Sequence, residues 1–164
     1  MIRTITICLL LASLAITPNA IHAEGGDQPA EALVLPADVL ALLQAEMREI
    51  TAGVQMIPVA IAQGDWETLA STGKSIQSSY IMAKRLTGEQ KKLLKSNLPA
   101  RFKQLDSAFH NRAGELAHAA EARNFELASY HYSRLIEGCA QCHSIYAKDK
   151  FPGFGPVTEK GHQH

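Results

Sequence analysis

Cys139, Cys142 and His143 fall within five residues, in the stretch GCAQCHSIY at 138–146. On a helix these positions are related as i, i+3 and i+4, so all three project from one side. Two thiols and an imidazole so placed offer three chemistries: thiol–disulfide exchange, metal ligation, or covalent capture of a porphyrin. In the last, the thiols add to two vinyl groups on one porphyrin edge and the imidazole reaches the iron from one face. C-x-x-C-H is the attachment signature of c-type haem. A Cys139–Cys142 disulfide would leave His143 without a role. A closed zinc site takes four protein ligands, and no second Cys/His pair stands at a suitable spacing. A thioredoxin-like pair opens a helix after a strand, and no strand pattern comes before this one. The expected cofactor is one covalent haem c, attached at Cys139 and Cys142 with His143 on the iron.

The elements that must position these residues are helical. Pro36 suits a first helical turn, where its missing N–H would be unpaired anyway. Leu40, Leu43, Met47, Ile50, Val54, Ile57 and Ile61 then recur in alternating steps of three and four, the seam of a packed helix. Pro58 should kink this helix, and QGD at 63–65 should end it. Asp65 can cap a second helix with Trp66, Leu69, Gly73, Ile76, Tyr80 and Ala83 inward. TGEQ at 87–90 is a capping box that opens a short helical piece, and NLP at 97–99 closes it. A third long helix carries Phe102, Leu105, Phe109, Ala113, Leu116 and Ala120. Asn124 can cap the fourth, whose seam is Ala128, Tyr132, Leu135, Cys139, Cys142 and Tyr146. The predicted fold is all-α: an antiparallel four-helix bundle with haem near the C-terminal end of the last helix.

The chain has 164 residues, room for one domain with a real core. Residues 1–23 have one basic residue, Arg3, then a short apolar run, then Ala23, the pattern of a secretory signal peptide. The run from Ile5 to Ile16 is short for a membrane span, which takes roughly 20 residues. Cleavage after Ala23 would leave 141 residues and remove Cys8, so that Cys139 and Cys142 are the remaining cysteines. It implies export, to the periplasm in a bacterial source. Residues 24–35 form a loose lead-in, 36–150 the helical domain, and 151–164 a tail too rich in Gly and Pro for helix. Sixteen basic and sixteen acidic residues balance, so no strong electrostatic pull toward nucleic acid or membrane is implied; no nucleic-acid partner and no stable membrane insertion after cleavage are expected.

With CAQCH in the last helix, Tyr146 three residues past the histidine, and IAQGDW closing the first helix, the chain resembles the class II cytochromes c. These include cytochrome c′ and its low-spin c-556 relatives. The resemblance covers roughly residues 36–148 and is close only at CAQCH. It implies a left-handed bundle with haem between the helices at one end, and electron transfer or diatomic-gas binding. It also implies redox partner proteins and, in many members, a homodimer through the first two helices. Cytochromes c′ commonly carry arginine directly after the aromatic. Here that position is Ala147, with Lys148 and Lys150 nearby, so gas chemistry that uses the arginine is not expected.

No methionine follows His143, so a sixth iron ligand must come from upstream or from the tail. Low-spin members of the family take a methionine from the first helix, and Met47 on the predicted seam is the candidate. Thioether sulfur is a soft ligand that raises the potential of haem iron. Alternatively Met47 packs the core, as methionine often does. Met56 lies on another face, and Met82 lies beside the second seam. His110 and His118 flank the third seam, His131 faces outward on the fourth helix, and His162 and His164 lie in the tail. Tyr132 and Tyr146 are expected near the haem. Lys148 and Lys150 suit haem propionates or an acidic partner. Two functions follow, a periplasmic carrier of one electron with His143 and Met47 on the iron, or a five-coordinate module binding nitric oxide or carbon monoxide. No distal His–Arg pair suggests peroxide chemistry, so the protein is not expected to be an enzyme.

Overall fold

The computed structural model describes residues 33–154. The predicted signal peptide, most of the lead-in, and the end of the tail with His162 and His164 lie outside them. Every regular element among the described residues is helical. α1 spans Ala37–Gln63, α2 Trp66–Gln77, α3 Met82–Arg85, α4 Gly88–Asn97, α5 Ala100–Glu121 and α6 Phe125–Tyr146, and a 3₁₀ turn follows at Pro152–Phe154. Among the described residues no helix is long and apolar enough to cross a membrane.

Local sequence sets most of the boundaries. Helix α1 starts directly after Pro36, runs through Pro58, and stops where Gly64 takes φ 67°. That left-handed conformation costs glycine little and lets its amide reach back to the last carbonyls. Asp65 caps α2 by accepting from the Thr68 amide at 3.0 Å. Thr87 and Gln90 form the predicted capping box on α4, each side chain accepting from the other's backbone N–H. Asn124 caps α6 through the Leu127 amide at 2.9 Å.

Each long helix packs on the next in sequence, α1 on α2, α2 on α5 and α5 on α6, and α6 returns against α1. Ile57, Leu69, Ile76, Leu116 and Leu135 are wholly buried where these faces meet. At Gly73, α2 lies close against the backbone of α5. A Cβ added there would lie 2.7 Å from the Ala113 carbonyl and 2.9 Å from the Ala117 amide. Backbone cannot give way as a side chain can. Gly73→Ala is therefore expected to destabilise the fold by about 1–3 kcal/mol, despite alanine's better helix propensity. At Gly114 the nearest obstacle is the flexible end of Gln77. Gly114→Ala should be close to neutral, and urea denaturation of the two variants would separate these outcomes.

Two expectations about the helices are corrected. The first half of α1 is rotated by one residue from the predicted seam. Val39 and Glu46 are buried, whereas Leu40 and Met47 are 36% and 37% exposed. The second helix ends at Gln77, before Tyr80 and Ala83, because Ser79 takes φ 62° and turns the chain. The next three amides are then drawn to a side chain of α1. Glu46 accepts from Tyr80 N–H at 2.8 Å through one carboxylate oxygen. Its other oxygen accepts from Ile81 and Met82 N–H at 2.5 and 2.9 Å.

Candidate functional site

The helices place Cys139, Cys142, His143 and Tyr146 at one end of the fold. α6 runs antiparallel to α5, so its last turns meet the first turns of α5. There the Tyr146 ring sits edge-on to Phe102, with centroids 5.2 Å apart. After Ala147 the chain leaves the helix, and the amides of Lys150 and Phe151 return to the Ala147 carbonyl. This tight turn lays Phe151 flat on His143, with ring centroids 4.2 Å apart and planes 10° from parallel. The stack fixes the plane of the imidazole. Burial lowers the His143 pKa, which favours the neutral ring with a lone pair free for a metal.

Both cysteines are half-buried free thiols. Burial pushes the Cys139 thiol up, and pushes Cys142 up to about 11 with help from the negative charges of Asp106 and Cys139. Thiols so protonated are weak nucleophiles at neutral pH. The disulfide is not formed. Among the described residues no three His, Cys, Asp or Glu side chains gather as a metal site.

Beside these groups lies a cleft of about 330 Å³ between α1, the α3–α4 segment and α5. Leu43, Met47, Met82, Leu94, Leu98 and Phe102 give it apolar walls, and Glu46, Lys91, Asp106 and His110 are its ionisable groups. Cys139, Cys142 and His143 are not among the lining residues. They adjoin the cleft across Phe102, which touches Tyr146, and Asp106, whose charge acts on Cys142. Met47 thus lies in a cleft wall rather than in the core, and Met82 shares that cleft from α3 instead of from the second helix. Met56 is exposed on another face, as expected.

His110 is more constrained than its flanking position suggested. Its Nδ1 lies 2.6 Å from the Ile76 carbonyl, which can only accept, so Nδ1 carries the proton. Burial alone would lower its pKa. Hydrogen bonding and charge from Asp106, 3.5 Å from Nε2, and the Ile76 carbonyl reverse the shift, and the net is a raised pKa. His118 is exposed beside Glu121, and His131 is half-buried, its pKa lowered by burial and Arg112. Tyr132 packs against the core.

Sequence reasoning missed two residues here. Glu46 is 2% exposed, a carboxylate on the buried side of α1 next to Met47. Its signal was an acidic residue seven after Val39 and four before Ile50, a spacing that keeps it on the inner face. Phe151 falls in the stretch the sequence marks as a tail, although an aromatic five residues past the helix end has the reach to fold back. The chain matches no family model, no curated protein and no solved structure. The likeness to class II cytochromes c therefore stands on the residues quoted above.

Proposed function

We propose that the chain is an exported, periplasmic c-type cytochrome of the class II kind that carries one electron. In this reading the long helices α1, α2, α5 and α6 make an antiparallel four-helix bundle. Cys139 and Cys142 would hold one haem c, and His143 and Met47 would ligate its iron. The observation that carries it is the placement of C-x-x-C-H at the end of α6, beside an apolar cleft whose wall includes Met47. The residues fit the group. The thiols are unpaired, burial favours the neutral imidazole, which a stacked ring holds, and apolar side chains make up much of the neighbouring cleft wall.

When bound, the haem supplies the one-electron iron couple. The protein's own part is positioning. Phe151 holds the imidazole plane, and His110 ties the end of α2 to α5. Apolar side chains beside the iron would limit water there, which would raise the cost of the more highly charged oxidised iron. The Met47 thioether, as a second protein ligand, would block small molecules and limit the reorganisation that accompanies transfer. A buried carboxylate beside the cleft, already bonded to three amides, would not compete for the metal.

The test is expression of the full chain with haem-attachment machinery, followed by denaturing electrophoresis and an absorption spectrum. Covalent haem is expected in the wild-type chain. Cys139→Ser/Cys142→Ser together should lose all covalent haem. A wild-type chain without haem bands under those conditions would overturn the reading of this segment.

A further inference from the structure

The balanced composition hides a segregation of charge. Between residues 84 and 103 the chain carries seven basic residues against one acid, Glu89. The other described residues carry seven basic against eleven acidic. Lys84 and Arg85 stand on α3, Lys91, Lys92 and Lys95 on α4, and Arg101 and Lys103 on the first turn of α5, all exposed.

The ion pairs among the described residues involve other side chains: Lys74–Glu121, His110–Asp106, His118–Glu121 and Arg134–Glu137. The ammonium groups of Lys91 and Lys103 donate to the carbonyls of Ala83 and Lys95 at 3.2 and 3.1 Å. These bonds orient the charges without neutralising them. The cap crosses the end of the fold between α2 and α5, the end where Phe102 meets Tyr146 and Asp106 acts on Cys142.

We propose that this basic cap, α3 and α4 with the first turn of α5, is the docking surface for a partner protein that presents carboxylates. The choice of partner follows from what accompanies the charge. No large apolar side chain of residues 82–103 is exposed, and Leu94 of α4 is 7% exposed and turned inward. A helix that settles into a lipid surface needs an outward apolar face. An exposed aromatic that would stack on nucleobases is also missing from this stretch. Exposed lysines without apolar anchors suit a loose, fast, salt-sensitive encounter with an acidic protein face. Docking there would bring the partner to the end that holds Cys142 and His143. Its use for electron transfer rests on the haem reading, but the docking itself does not.

The mature full-length protein would be titrated with a short poly-glutamate peptide while backbone amide resonances are followed. The titration is run at about 10 and about 150 mM salt, where the screening length falls from about 30 to about 8 Å. Perturbations are expected at residues 84–103, with binding about tenfold or more weaker at the higher salt. Lys91→Glu/Lys92→Glu/Lys95→Glu should abolish them with the helical circular dichroism unchanged. Arg123→Glu, at the other end of α5, should leave them intact. Perturbations centred elsewhere, or unaffected by the triple reversal, would overturn the proposal. So would binding to phosphatidylglycerol vesicles in salt that already releases the peptide, which would make the cap a membrane surface. Absence of haem absorbance in the same sample, expressed with haem-attachment machinery, would refute the cytochrome reading and leave the peptide result standing.

Discussion

Glu46→Ala is expected to destabilise the fold by about 3–5 kcal/mol, because three backbone N–H groups lose a charged acceptor at once. The carboxylate is 2% exposed, so burial acts first and disfavours its charge. The amides of Met82, Ile81 and Tyr80, with the Ser79 hydroxyl, outweigh that penalty, and the net pKa is lowered. A folded-state pKa below the unfolded one gives stability that is complete above the ordinary carboxylate range. That stability is lost as pH falls through the folded value. Glu46→Gln keeps the shape and one acceptor oxygen. It should cost about 1–3 kcal/mol at pH 7 and flatten the acid side of the stability profile. Urea denaturation from pH 3 to pH 7 would check both. Wild-type and Gln variants with the same acid slope would mean that Glu46 is not the group that titrates.

Met47→Ala should have the largest spectroscopic effect. In the haem-loaded protein, loss of the thioether should leave the iron high-spin and open to carbon monoxide. The wild type should show a sharp low-spin reduced spectrum, a weak sulfur-to-iron band when oxidised, and no response to the gas. The cost in stability should be modest, since Met47 is 37% exposed and its truncation leaves no sealed cavity. Met82→Ala is the control, because Met82 shares the cleft and should leave the spectrum unchanged. A Met47→Ala spectrum identical to wild type would remove Met47 from the iron. A wild-type protein that is already high-spin and binds carbon monoxide would make this a gas-binding module.

What the sequence disclosed was local. Asp65, Thr87 and Asn124 mark helix starts because a side-chain cap acts within three residues of itself, and Pro36 marks one because a first-turn position has no use for its missing N–H. The C-x-x-C-H stretch is likewise legible, since one helical turn brings its three side chains together. The end of α2 was not legible. It depends on a carboxylate 34 residues earlier that takes the amides a longer helix would have used. The phase of α1 was misread for a related reason. Leu40 and Met47 share the seven-residue spacing of Val39 and Glu46, and hydrophobicity favoured the former pair. The hydrogen bonds that repay the burial of Glu46 come from a distant loop. Charge totals concealed the basic cap, because a balance of sixteen against sixteen carries no positions.

The order in which the helices pair bears on how the molecule assembles. α1 with α2, and α5 with α6, are joined by turns of two or three residues, and α2 meets α5 across the α3–α4 segment. Such short-range pairing closes small loops and favours rapid folding. The contact of α1 with α6 joins the first and last long helices of the described residues and carries the largest closure entropy among these pairings. That seam should zip last on folding and part first on unfolding. Until α1 docks, the face of α6 that it covers stays open to solvent on a partly folded chain.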